Sequence, residues 1–162
     1  MIVVSDASPI HYLVLIEAAD LLAPLYGRIL VPQTVAGELQ AAKTPAAVRA
    51  WIAQPPGWCE IRPDPPADPT FELLDAGERT AIALAISTHA DRLLIDEWDG
   101  RVEAQRHQLQ TTGTLGVLAG AHFAGLLDFE TAVAQLRRTN FYISDDVVHG
   151  IRQRLAKAAK KA

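Results

Sequence analysis

The stretch "MIVVSDASPI" (residues 1–10) is an apolar run that stops on a carboxylate. Val3 and Val4 have the character of a buried strand, Asp6 falls where the chain leaves it, and Pro9 suits the first turn of a helix. Burying a charge without a partner is costly, so Asp6 needs a reason. Either Asp6 or Ser8 caps the free N–H groups of the following helix, or Asp6 shares a cation with acids from elsewhere in the chain. These ten residues alone leave both open.

Outward from this stretch the pattern repeats. Strands are expected at 2–6, 29–31, 58–61, 92–96 and 108–111, and helical patterns at 8–27, 33–54, 75–90, 97–107, 114–124, 128–138 and 144–158. Continuously apolar strands alternating with helices predict an α/β fold, a parallel sheet covered on both faces. In such a sheet the ligand crevice lies at the carboxyl ends of the strands, near the point where strand order reverses. Asp6 and Asp96 both stand at such ends. "DPPADP" (64–69) is the only linker-like segment, and no repeat or low-complexity tract occurs. Residues 1–162 therefore read as a single domain, with the helices of 128–158 packed on it.

Composition narrows the class. With 162 residues, 49% hydrophobic and 21% charged, the chain can bury a real core. The longest apolar run, Ala81–Ile86, is far too short for a membrane span. No basic leader precedes the first strand, so a cytoplasmic location with no membrane association is expected. Cys59 is the only cysteine, which excludes an intrachain disulfide and a cysteine-based zinc site. The net charge of −4 is unevenly spread: residues 1–100 carry 6 Lys/Arg against 14 Asp/Glu, and residues 101–162 carry 9 against 5. An acidic centre beside a basic flank suits an enzyme acting on a polyanion; a solvated helix end, "RQRLAKAAKKA", is the plain alternative. Arg101, Arg106, Arg137 and Arg138, with the tail from Arg152 to Lys161, are the candidates for contacting phosphates.

Four acids from four places stand out. Asp96 in "RLLIDEWDGR" ends an apolar strand as Asp6 does, and Glu97 and Asp99 follow within three residues. Acids this close repel one another unless something neutralises them. Glu38 in "VPQTVAGELQAA" lies one step from the apolar stripe of Val35 and Leu39, so a solvated glutamate is equally open. Glu78 in "LLDAGERTAIALAIS" has capping-box spacing with Asp75, yet it shares a face with Ala81, Ile82 and Ala85, which must pack on the sheet. Carboxylates suit Mg²⁺ or Mn²⁺, hard ions that keep several waters. The five histidines show no ligand spacing. Trp51 and Trp58 read as core; Trp98 either stacks on a base at the pocket rim or packs on a neighbouring helix.

Together "VSDASPI", "GEL", "LDAGERTAIALA", "LLIDEWDGR" and "TTGTLGVL" resemble the PIN-domain family, in its VapC-like branch, over residues 1 to about 155. The resemblance implies a three-layer α/β/α fold with four catalytic, metal-holding acids at Asp6, Glu38, Glu78 and Asp96. Asp99 would be a helper ligand, and Ser8 a neighbouring hydroxyl. The wider family usually has aspartate where Glu78 stands. Thr112 and Thr114 follow the last strand, where they either orient a ligand or cap the next helix. The activity implied is a Mg²⁺- or Mn²⁺-dependent endoribonuclease, the toxin of a toxin–antitoxin pair, with a cognate antitoxin and a homodimer as partners. The antitoxin's groove is expected along "IHYLVLIEAADLLAPLY", beside Asp6. A receiver domain would need a lysine after the last strand, which "TTGTLGVL" lacks. A haloacid-dehalogenase-type phosphatase would need an aspartate at position 8. The alternative from another class is a catalytically inactive PIN-like binding protein acting through a protein partner.

Overall fold

The apolar run that opens the chain becomes β1 (Ile2–Ser5), the middle strand of a five-stranded parallel sheet in the computed structural model, which describes residues 1–66 and 68–161. The other strands are β2 (Arg28–Pro32), β3 (Cys59–Arg62), β4 (Arg92–Leu94) and β5 (Thr111–Thr112), and the order across the sheet is β3-β2-β1-β4-β5. The chain winds from β1 to one edge, then returns to β1's other side and winds to the opposite edge. Strand order thus reverses between β1 and β4, where Val4 pairs with Leu93 and Ser5 with Leu94. A crevice opens at such a switch point because the flanking connections diverge to opposite faces.

Alternate side chains of the strands divide between two cores. Val3, Ile29, Val31 and Leu94 face one side, where α1 (Ala7–Leu15), α3 (Gln33–Leu39), α4 (Ala46–Ala53), α7 (Thr114–Phe123), α8 (Phe129–Leu136) and α9 (Asp145–Lys161) contribute. Val4, Leu30, Leu93 and Ile95 face the other, under α5 (Ala76–Ser87) and α6 (Trp98–Arg106). This is the three-layer arrangement the apolar strands predict. Phe129, Ala132, Val133 and Leu136 of α8 and Val148 and Ile151 of α9 are buried in the larger core, so these last helices pack on the body of the fold.

Several boundaries differ from expectation for identifiable reasons. The helical pattern at 8–27 is broken: α1 ends at Leu15, Glu17 takes a left-handed conformation (φ 57°), and α2 (Leu22–Tyr26) follows a short 3₁₀ turn. The pattern at 33–54 splits into α3 and α4 at "QAAKTP", where Pro45 restricts Thr44 and starts the second helix. The fifth strand forms at 111–112 instead of 108–111, because Gln108 is left-handed (φ 62°) and ends α6. Trp51 and Trp58 are half-buried, a tilted pair 5.9 Å apart at the core's margin. Of the apolar run after Asp6, Ile10, Leu13, Ile16 and Leu22 are buried in the core, while His11, Tyr12, Val14 and Leu15 are half-buried. The linker-like stretch 64–69, whose Ala67 lies outside the described residues, is tied down: Asp64 accepts bonds from the N–H (3.0 Å) and the hydroxyl of Thr34, serving α3 as a remote cap.

Candidate active site

Asp6 follows β1 directly, and its N–H donates to the Leu94 carbonyl of β4 (2.9 Å). It occupies the position before α1 but makes no side-chain capping bond, which removes the capping explanation. Its side chain is nearly enclosed, at 5% exposure, and burial pushes its pKa up to about 7. The N–H of Ala7 opposes this rise, while the charges of Asp75, Glu78 and Glu38 add to it. Asp6 is therefore a buried acid surrounded by acids.

Asp96 lies two residues beyond the end of β4, the strand adjacent to β1. Its Oδ1 accepts from the Thr114 N–H (2.7 Å), and its Oδ2 accepts from the hydroxyls of Ser8 (2.7 Å) and Thr114 (2.7 Å). The capping roles expected here are reversed: the residue before α7 is Gly113, which has no side chain, and Asp96 caps that helix from a distance. A Cβ on Gly113 would sit 2.9 Å from Asp96 Oδ1 and 3.1 Å from Arg101 Nη1, so glycine is what lets both groups approach the backbone. The Thr112 hydroxyl takes a different partner, the guanidinium of Arg92 (2.5 Å).

Glu78 fills both roles the sequence offered. Asp75 Oδ1 accepts from the Glu78 N–H (2.8 Å) and Glu78 Oε2 accepts from the Asp75 N–H (3.3 Å), a complete capping box at the start of α5. Glu78 is also buried, at 6% exposure, and burial, then Asp75, raise its pKa to about 7, with Glu97 adding to the rise. Glu38 lies on the exposed side of α3, but its carboxylate folds over the first turn of α5. A Cβ on Gly77 would stand 2.5 Å from Glu38 Oε2 and 2.8 Å from Oε1. Partial burial and the charge of Asp75 hold the Glu38 pKa above its usual value, and the Gly77 N–H pulls it back.

The crevice thus gathers Asp6, Glu38 and Glu78 in one field, with Asp96 on the neighbouring strand end and Ser8 and Thr114 supporting it. Two acids belong to the field that the sequence reading used only as a cap or a neighbour: Asp75 acts on Asp6, Glu38 and Glu78, and Glu97 acts on Glu78. Asp99 stands exposed in the first turn of α6 and is not among the charges that act on these groups. Among the described residues, no Lys or Arg is ion-paired with any of the four acids. Of the cations singled out from sequence, Arg101 lines the groove that holds Asp96. Arg106 instead pairs with Glu103 (3.0 Å), Arg137 pairs with Asp145 (3.1 Å), and Arg138 lines a separate cleft with Leu15 and Glu17.

Among the described residues, no group of three or more His, Cys, Asp or Glu is arranged as a cage that could hold a metal ion. A cage is not what a Mg²⁺-like ion requires, since it is usually held by one or two carboxylates and completes its shell with water. Buried acids without a cationic partner, on strand ends spaced about 5 Å apart, fit such an ion by charge and by donor type.

Comparison with known families agrees with this fold. The model of a PIN-domain family, DUF3368, matches residues 2–157, and the chain belongs to that family. PIN domains are generally nucleases, so the fold is of nuclease type. No curated protein and no solved structure matches the chain significantly. No helix among the described residues is long and apolar enough to cross a membrane.

Proposed function

We propose that this protein is a divalent-metal-dependent endoribonuclease that hydrolyses RNA phosphodiesters. The observation that carries the reading is the set of mutually repelling carboxylates at the switch point of the sheet, of which Asp6 and Glu78 are buried with pKa values near 7. Such a set destabilises the empty fold and is a sensible arrangement only where positive charge is to be bound.

Asp6 and Asp96 would hold the ion, with Glu38 and Glu78 reaching it directly or through water and Asp99 as a more distant helper. A bound Mg²⁺ or Mn²⁺ would supply a water activated for attack and would offset the charge growing on the phosphate oxygens. Ser8 and Thr114 keep Asp96 in one orientation, so its lone pairs point the same way before and after substrate binds. Glu78, its pKa raised to about 7, is placed to take a proton near neutral pH, and the Glu38 pKa is held above its usual value beside it. Attack in line with the leaving oxygen gives a 5′-phosphate and a 3′-hydroxyl.

The ordered VapC-like motifs support a finer reading: a cytoplasmic toxin, homodimeric and restrained by a cognate antitoxin. The test is cleavage of single-stranded RNA with Mn²⁺. We expect 5′-phosphate products, complete loss of cutting with EDTA, and loss in Asp96→Asn at unchanged thermal stability. Full activity in Asp96→Asn would refute the assignment. Expression alone in bacteria should halt growth; harmless expression of a protein that cuts RNA would remove the toxin reading and leave the nuclease.

A further inference from the structure

A groove of about 960 Å³ begins at Asp96 and runs past β5 and α7 to α9. Among the described residues its acids, Asp96 and Glu97, lie at the end nearest the candidate site; along the rest stand Arg92, Arg101 and Arg154. Three aromatic side chains on its walls are largely bare: Trp98 is 76% exposed, Phe123 71% and, nearest the far end, Tyr142 86%. At that exposure little of Trp98 is left to pack on a neighbouring helix, one of the two roles its sequence context suggests. Arg101 and Arg154 have no ion-pair partner among the described residues. An apolar peptide would use the groove's Leu115 and Ala119 but would leave these cations without a counter-charge.

We infer that this groove is a track for single-stranded RNA, in which Trp98 and Tyr142 each stack an unpaired base while Arg101 and Arg154 contact the intervening phosphates. Exposed aromatic faces recognise bases that are free of a partner, and a duplex hides those faces within its own stack. Trp98 opens α6 two residues after Asp96, so its base would lie next to the scissile phosphate. Tyr142 and Arg154 belong to the last part of the chain, which makes the C-terminal segment part of the substrate site. The inference rests on the nuclease reading only for which end of the track is cut.

Binding of a fluorescein-labelled 12-nucleotide RNA, followed by anisotropy in excess EDTA so that nothing is cut, tests the track. Trp98→Ala and Tyr142→Ala should each raise Kd about 5- to 100-fold, with unchanged melting temperature because both side chains are exposed. Arg154→Gln should reduce the slope of log K against log salt by roughly 0.7. The same sequence as a duplex should bind more weakly and ignore both aromatic substitutions. Single-strand binding unchanged in both aromatic variants would overturn the inference and leave the groove to an apolar peptide. A protein that binds single strands in this way but cuts none would keep the track and remove the nuclease. One that cuts with unchanged KM in both variants would do the reverse.

Discussion

Asp96 accepts three hydrogen bonds, one from a backbone N–H and two from hydroxyls, and they lock a carboxylate at the point where the sheet opens. Thr114 is fully buried, so Thr114→Val keeps the volume and removes one donor. The cost to stability should be about 1 kcal/mol, while single-turnover cleavage should fall by roughly tenfold or more as Asp96 loses its fixed orientation. Denaturant unfolding and quenched-flow cutting measure the two separately. Asp6 and Glu78 give the fold a pH dependence with a definite sign. Folding raises Asp6 from 3.8 to about 7 and Glu78 from 4.5 to about 7, so between those values the folded chain binds more protons than the unfolded one. Stability from these groups is therefore full below about pH 4 and is lost as pH rises through 7. With chelator present, the melting temperature should fall between pH 5 and 7.5, and Asp6→Asn should flatten that fall. A rising curve over the same range would contradict the burial argument.

At the scale of elements, the first turn of α5 does two jobs: Asp75 caps it, and Gly77 admits the Glu38 carboxylate across it. Gly77→Ala places a methyl 2.5 Å from Glu38 Oε2, the free end of a flexible chain, so the side chain swings away at little cost. The helix should be unchanged or slightly more stable, yet cutting should drop by about tenfold, the order expected of a misplaced polar group at a site. Asp75→Ala should cost about 1 kcal/mol as a lost cap. Part of that loss should return near pH 7, because Asp75 also repels Asp6, Glu38 and Glu78. The strand ends at Asp6 and Asp96 were legible in the sequence because a buried strand that stops on a charge has few explanations. Gly77 was not, since its reason is a contact with α3, thirty-nine positions upstream of it in the chain. The break after α1 left no trace either: "IEAAD" has helical composition, and only packing puts Glu17 in a left-handed turn. The break at Thr44-Pro45 did leave a trace, in the proline. Arg137 and Arg138 looked like a basic patch in sequence, but folding sends one to Asp145 and the other to a different cleft.

For the whole molecule, the doubly wound order β3-β2-β1-β4-β5 explains why acids far apart in sequence meet: it sets the ends of β1 and β4 side by side and brings α3 and α5 over them. The central claim is that this meeting place is a cation site. Titration of Mn²⁺ into the chelator-stripped protein at pH 7.5, by calorimetry in two buffers of different ionisation enthalpy, tests it directly. The account predicts saturable binding that releases protons, since acids with pKa near 7 must give them up to the ion. It also predicts that Asp6→Asn weakens binding at least tenfold while remaining folded. No saturable heat in the unmodified protein, or equal affinity in Asp6→Asn, would contradict it.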